Sequence, residues 1–273
     1  MRLLDAHNHL HDVRLAPHRA AILEELARMA VAGAVVNGTC EEDWGAVSDA
    51  AAAHSFVLPS FGLHPWNARE RSTKWLEKLR ACLVSHPGSA VGEIGLDRWI
   101  EGHDLPDQTA VFRAQLELSV ELARPVTIHC VRAWGALWEV LRTAHLPSMG
   151  FLLHAFAGPA EMVAGFVDRG AYFSFSPSFL AERKTAQREI FRTLPDDRIL
   201  VETDAPDLAP PEAMNPRLLR DPSGAILNHP ANIDFAYTAL AELRAAPLGT
   251  FAEQIAGNFK RLFGAPGKLD VAA

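Results

Sequence analysis

Cysteine is scarce in this chain. Cys40, Cys82 and Cys130 are the only three among 273 residues, and no pair has CxxC spacing. An odd, dispersed set argues against a disulfide framework and fits a reducing compartment. Long apolar runs are missing too. None approaches the ~18 residues of a membrane span, and the opening MRLLDAHNHLHD lacks the apolar stretch of an export signal. A cytoplasmic location without membrane contact is therefore expected. Positive charge is in deficit: 26 Lys and Arg face 33 Asp and Glu, a formal net charge of -7. Such a chain has no bulk attraction for nucleic acid, so any binding of a polyanion has to be local. No Gly-rich turn follows an early strand, which removes the signature of a doubly wound nucleotide-binding sheet. No linker or low-complexity segment interrupts the chain, and no obligate protein partner is evident.

What is present is alternation. Short β-rich runs are each followed by an amphipathic helical stretch, which predicts parallel strands joined by crossover helices. The strands are read at Leu3–His7, 34–39, 57–65, 90–97, 125–130, 150–156, 171–177 and 198–204. A polar, Pro-rich connection then leads to two helices from about Ala231 and Phe251. Eight units with short links suit an α/β fold of the closed (β/α)8 TIM-barrel kind, and the length suits a single domain over 1–273. Pro159 marks the start of a helical turn, and Thr250 with Glu253 reads as a capping box for the last helix.

In such a barrel the reactive groups stand at the C-terminal ends of the strands. Strand one ends in His7-Asn8-His9, whose two imidazoles share a face by alternation and suit one cation. The bland alternative is a polar cap on a turn. Strand four carries Gly92-Glu93-Ile94-Gly95-Leu96-Asp97. A lone carboxylate in that apolar run is costly to bury, a cation offsets the cost, and two oxygens can bridge two ions. Asp97 is placed to orient a ligand or to contact substrate or water. His129 and His154 each follow an apolar run at the ends of strands five and six. A single such histidine is usually structural, but two in successive strands beside a buried Glu favour ligands. Strand eight supplies Asp204 as last ligand or as the base that activates water, with Glu202 on the same face to hold a histidine or water. His64, at the end of strand three, contacts substrate or shapes a turn, and the sequence leaves both open.

Other residues are read blandly. Cys130 points away from His129 by alternation and is a packed thiol. His11, His18, His54, His86 and His145 belong to surface loops or helix ends. Arg98 and His103 lie in a solvated loop, and Trp134 and Trp138 pack a helix onto the barrel.

Taken together, D-A-H-N-H, G-L-H-P, G-E-I-G-L-D, I-H-C, H-A-F-A-G, V-E-T-D-A-P and the terminal G-N-F-K-R-L-F resemble the TatD-related hydrolases of the amidohydrolase-like superfamily. The motifs span nearly the whole chain in order. The resemblance implies two adjacent divalent metal ions (Mg²⁺, Mn²⁺ or Zn²⁺), one served by His7, His9 and Asp204, the other by His129 and His154, with Glu93 bridging. It implies DNase activity for some members and hydrolysis of other esters, such as D-aminoacyl-tRNA, for others. Two departures stand out. C-V-R-A follows His129 where the family often has C-R-D-A, and His229 replaces the acid of N-E-P. Related cyclic-amide and phosphotriester hydrolases often bridge their metals through a carboxylated lysine. Here Lys74, Lys78, Lys184, Lys260 and Lys268 all fall away from strand ends, which disfavours that chemistry. A non-catalytic metal-binding barrel is the remaining alternative, and the full ligand set weighs against it.

Overall fold

The computed structural model describes residues 1–264; Lys268 and the rest of the expected domain's tail lie outside the described residues. The strands are β1 (Leu3–Asn8), β2 (Val31–Asn37), β3 (Val57–Phe61), β4 (Ala90–Asp97), β5 (Val126–Val131), β6 (Phe151–Leu153), β7 (Ala171–Phe175) and β8 (Ile199–Val201). They form one parallel sheet in chain order, β1 to β8. The helices between them are α1 (Arg19–Arg28), α2 (Trp44–Ala53), α3 (Trp75–Ser85), α4 (Leu105–Glu121), α5 (Trp134–Leu141), α6 (Val163–Asp168) and α7 (Thr185–Thr193). Then α8 (Ile233–Leu243) and α9 (Leu248–Phe263) complete the outer layer. This is the expected TIM-barrel architecture.

The ends of the sheet meet through hydrogen bonds just past the strands. The Asp204 amide donates to the His7 carbonyl at 2.9 Å, and the His9 amide donates to the Ala205 carbonyl at 2.7 Å. Asp5 reinforces this seam. Its carboxylate accepts from the Thr203 amide at 3.1 Å and the Thr203 hydroxyl at 2.6 Å. Closure thus sets the two chemically loaded segments, 5–9 and 202–205, side by side.

The strands are continuous apolar runs because both faces are covered; every residue of β2 and of β4 is buried. The helices bury one face each. In α9 that face carries Phe251, Ile255, Phe259 and Leu262, with Glu253 and Lys260 outside it. Pro106 lies in the first turn of α4, where its missing N–H matters least. Asp104 caps that helix by accepting from the Asp107 amide. Gly95 has φ +148°, and a Cβ there would stand 2.0 Å from the His129 carbonyl oxygen. Only glycine lets β4 approach β5 this closely at the level of the histidine.

Three local expectations change. The helix α9 starts at Leu248 behind Pro247, so Thr250 and Glu253 already lie inside it and form no capping box. The Pro-rich connection contains a small antiparallel hairpin, β9 (Leu219–Arg220) with β10 (Ile226–Leu227). Strands three, six and eight are shorter than read, so His64, His154 and Asp204 stand beyond their ends rather than in them. Pro159 immediately precedes a short 3-10 turn, as expected.

Candidate metal centre

Seven side chains from β1, β4, β5 and the segments after β1, β3, β6 and β8 converge at one rim. Glu93 lies at the middle, buried to 3% exposure. Its Oε2 is 3.3 Å from His7 Nε2 and 3.3 Å from His9 Nε2. Asp204 Oδ1 is 3.3 Å from His7 Nε2 and 3.5 Å from His9 Nε2. The two imidazole nitrogens are themselves 3.3 Å apart. The other carboxylate oxygen, Glu93 Oε1, faces different partners: His154 Nε2 at 2.8 Å, His129 Nδ1 at 3.0 Å and His64 Nε2 at 3.5 Å.

The spacing of the first set is informative. Neutral N–H···O bonds close to about 2.7–3.2 Å. Donor atoms at tetrahedral corners about 2.05 Å from one cation lie about 3.3 Å from each other. The first set therefore has the separations of ligands around a shared ion, with nothing but nitrogen and carboxylate oxygen in it. His7, His9 and Asp204 form one group whose ligand atoms all lie within 4.8 Å of one another, and Glu93, His129 and His64 form another.

Hydrogen bonds on the far side of each ring decide what it presents to the centre. His9 donates from Nδ1 to the Asn37 carbonyl at 2.7 Å, which leaves a lone pair on Nε2. His129 donates from Nε2 to Asp97 Oδ2 at 2.9 Å, which leaves a lone pair on Nδ1. His64 does the reverse. Its Nδ1 accepts from the Trp66 amide at 3.2 Å, so the neutral ring carries its proton on Nε2. His64 thus offers a donor to the cavity, not a ligand atom, despite its place in the second group. The side-chain amide of Asn37 lies 3.1 Å from His7 Nδ1 and steadies that ring.

Burial alone would push the Glu93 carboxyl up, but the surrounding imidazoles outweigh it and hold it well below the usual range. Asp204 is treated likewise: burial opposes ionisation, and His7 and His9 overcome it. Burial, then the charge of His129, pushes His64 down to about 4, so it is neutral at physiological pH. His9 and His154 go the opposite way, because the carboxylates beside them outweigh burial. A buried cluster whose carboxylates draw protons onto the imidazoles beside them is the environment a divalent cation neutralises in the protons' place.

The six expected ligand positions, His7, His9, Glu93, His129, His154 and Asp204, are all brought together here. Glu202 lies behind His154, with Oε1 3.7 Å from Nδ1. Neither of those two atoms has a hydrogen-bond partner, while the other Glu202 oxygen accepts from Ser174. Asp97 takes one of the roles expected of it, orienting a histidine, and not the contact with substrate. It is fully buried, and its oxygens are taken by His129, Trp66 Nε1 (2.8 Å) and the Trp99 amide (2.6 Å). Direct contact with substrate is closed to it, and it fixes His129 instead. Those hydrogen bonds overcome burial and hold its carboxyl at about 2.

His11 also departs from the surface placement expected. Its side chain is 7% exposed, sits 3.4 Å from Asp43 and lines the cavity, because the turn after β2 folds over it. His18, His54 and His86 are half-buried away from the centre, and only His145 of that group is exposed. Arg98 and His103 are exposed, and Cys130 is buried in the core. Trp134 and Trp138 pack on Phe166. His229 has a local role: its Nδ1 accepts from the Ala231 amide at 3.0 Å, and its Nε2 lies 3.6 Å from Glu25. Asn37 and Asp5 were missed by sequence reasoning. Neither is a metal-type residue at a strand mouth, and only the buried asparagine in the apolar VAGAVVN run hinted at a tertiary partner.

Barrel and centre together define a hydrolase-type metal site at the C-terminal mouth of a (β/α)8 fold. Comparison with known proteins gives the family. The TatD related DNase family matches residues 4–264, and the chain belongs to it, a family of metal-dependent hydrolases. A 3'-5' ssDNA/RNA exonuclease TatD of Erwinia tasmaniensis is 31% identical, covering 96% of this chain and 99% of that protein. A metal-dependent hydrolase of Bacillus subtilis, YabD, is 26% identical over 96% of this chain and 98% of its own length. The crystal structure of the TatD homologue YjjV from Escherichia coli superposes with a TM-score of 0.88 at 27% identity, covering 97% of this chain and 99% of that one. No helix among the described residues is long and apolar enough to cross a membrane.

Asp97 gives a first prediction. Asp97→Ala frees the His129 ring, and affinity for divalent metal falls about 10- to 100-fold, the usual loss for such a partner. Metal titration of the purified variant checks this. Unchanged affinity for every bound ion would rule out the positioning role.

Proposed function

We propose that this chain is a nuclease that hydrolyses phosphodiester bonds of DNA with two divalent cations. One observation supports the reading above the others: the two oxygens of Glu93 reach two different sets of ligand atoms. In this reading His7, His9 and Asp204 hold one cation, His129 and His154 hold the other, and Glu93 is shared. Nitrogen and carboxylate donors without thiolate suit Mg²⁺, Mn²⁺ or Zn²⁺. Held there, the cations supply Lewis acidity, which polarises the phosphoryl group and acidifies the attacking water.

The side chains do the rest. Asp204 stays ionised and accepts the proton of the attacking water. His64, neutral and carrying its proton on Nε2, donates to a phosphoryl oxygen as negative charge develops. The cavity above the centre, about 520 Å³, has room for a nucleotide. The relatives named as 3'-5' ssDNA/RNA exonucleases favour nucleic acid as the substrate class. We place the work in the cytoplasm, where three free thiols stay reduced, and in a single domain.

The test is release of nucleotides by metal-replete protein from single-stranded DNA, with duplex DNA, RNA and D-aminoacyl-tRNA as parallel substrates. Nucleotide release that stops on chelation is the expected result. Turnover of the aminoacyl ester with no cleavage of any phosphodiester would overturn the nuclease reading while keeping the hydrolase.

A further inference from the structure

Exposed hydrophobic surface at the rim of a cavity marks a ligand-binding groove. Two tryptophans are so placed. Trp66, from the segment after β3, is 48% exposed, and Trp99, just past β4, is 59% exposed. Both line the cavity that holds the metal centre. Neither is loosely attached. The buried Asp97 that fixes His129 also accepts from Trp66 Nε1 and from the Trp99 amide. The Trp66 ring stands edge-on to His64, with centroids 5.0 Å apart. One carboxylate therefore ties the Trp66 indole and the Trp99 backbone to His129.

The opposite wall differs in kind. Strands β3 and β7 lie half a turn apart in the barrel. Beyond β7, Lys184 lines the same cavity; its Nζ lies 5.8 Å from the Phe179 ring centroid, and no carboxylate pairs with it among the described residues. The other Lys or Arg on the wall, Arg14, is held by Asp12 and Asp207. The mouth thus has aromatic faces on one side and an unpaired cation on the other, with the metal centre between. A flat apolar ring joined to a negative backbone complements that arrangement.

We propose that Trp66 and Trp99 are specificity-determining residues that stack unpaired bases of a single nucleic-acid strand whose backbone crosses the metal centre toward Lys184. This rests on the nuclease reading and extends it to the form of the substrate. Stacking needs bases freed from a duplex, and it tolerates any sequence because every base has a π face. Single strands are accordingly preferred over duplexes, with little base discrimination.

The experiment is fluorescence anisotropy with metal-replete protein and a labelled oligothymidylate carrying phosphorothioate linkages that resist cleavage. A matched strand with abasic sites is the comparison. Trp99 is exposed, so Trp99→Ala leaves the fold intact. It weakens binding of the base-bearing strand roughly 5- to 150-fold, the range for one stacked base, and narrows the gap to the abasic strand, with the remainder carried by Trp66. Trp66→Ala acts in the same direction. Equal affinity of the wild-type protein for the two strands would overturn the proposal, as would a Trp99→Ala loss shared equally by both. Cleavage of the unmodified strand separates the two claims. Base-dependent binding without cleavage sinks the nuclease reading alone. Cleavage with base-independent binding sinks the stacking platform alone.

Discussion

Glu93→Ala abolishes stoichiometric metal binding and lowers kcat/KM by about a thousandfold or more, because Lewis-acid stabilisation worth several kcal/mol goes with the ions. The size of the effect follows from the position of the carboxylate. Each oxygen serves a separate set of imidazoles, so one truncation takes an anion from both sets. It also leaves at least five histidines facing each other without the charge that holds them together. The loss reaches substrate binding as well. Asp12, Asp43, Asp204 and Asp207 line the cavity, and an unmetallated mouth of that sign repels phosphate. The barrel itself survives, because β4 is held by the register of Val91, Ile94 and Gly95 with β5 and by its apolar neighbours. Metal analysis of the purified variant and its thermal melt are the checks. A variant that melts like the parent and still binds its full metal complement would remove the bridging role.

That the residues converging at the rim were legible in the sequence has a physical reason. A parallel barrel strand is buried on both faces, so any His, Asp or Glu in its apolar run is conspicuous and has to be compensated. His7, His9, Glu93, His129, His154 and Asp204 all stand out this way, and β4 was read to its observed bounds. Residues that act through a partner were harder to see. Asn37 contributes its carbonyl to His9 and its side-chain amide to His7, and no pattern in β2 reports which strand it will face. His11 looks like a loop residue until Asp43, after a different strand, closes on it. Asp97 was expected to orient a ligand or to contact substrate or water, and the motif alone did not decide between them. The indole of Trp66 and the amide of Trp99 fill its lone pairs. Short elements failed for another reason. Two-residue strands such as β9 and β10 carry too little periodicity to register, and Pro247 starts α9 before the Thr250 signal does.

Asp204→Asn lowers kcat about 10²- to 10⁴-fold at saturating metal and shifts KM only a few-fold, the range for loss of a general base. Asn keeps an oxygen where Oδ1 stands, 3.3 Å from His7 Nε2 and 3.5 Å from His9 Nε2, so a ligand atom survives while the proton acceptor goes. The backbone supports a functional assignment. Asp204 adopts φ +55°, a left-handed conformation that Asp tolerates better than most residues and that is kept where the surrounding bonds impose it. Those bonds are the Asp204 amide to the His7 carbonyl and the His9 amide to the Ala205 carbonyl, the same pair that closes the barrel. The turn therefore aims this carboxylate at the histidines of β1. Among the described residues no hydrogen bond occupies its second oxygen, which leaves that oxygen for water. Steady-state kinetics at several metal concentrations, together with metal content, separates the two duties. If the whole deficit is recovered by raising the metal concentration, Asp204 is a ligand only. If KM alone rises, it serves substrate binding and some other group takes the proton.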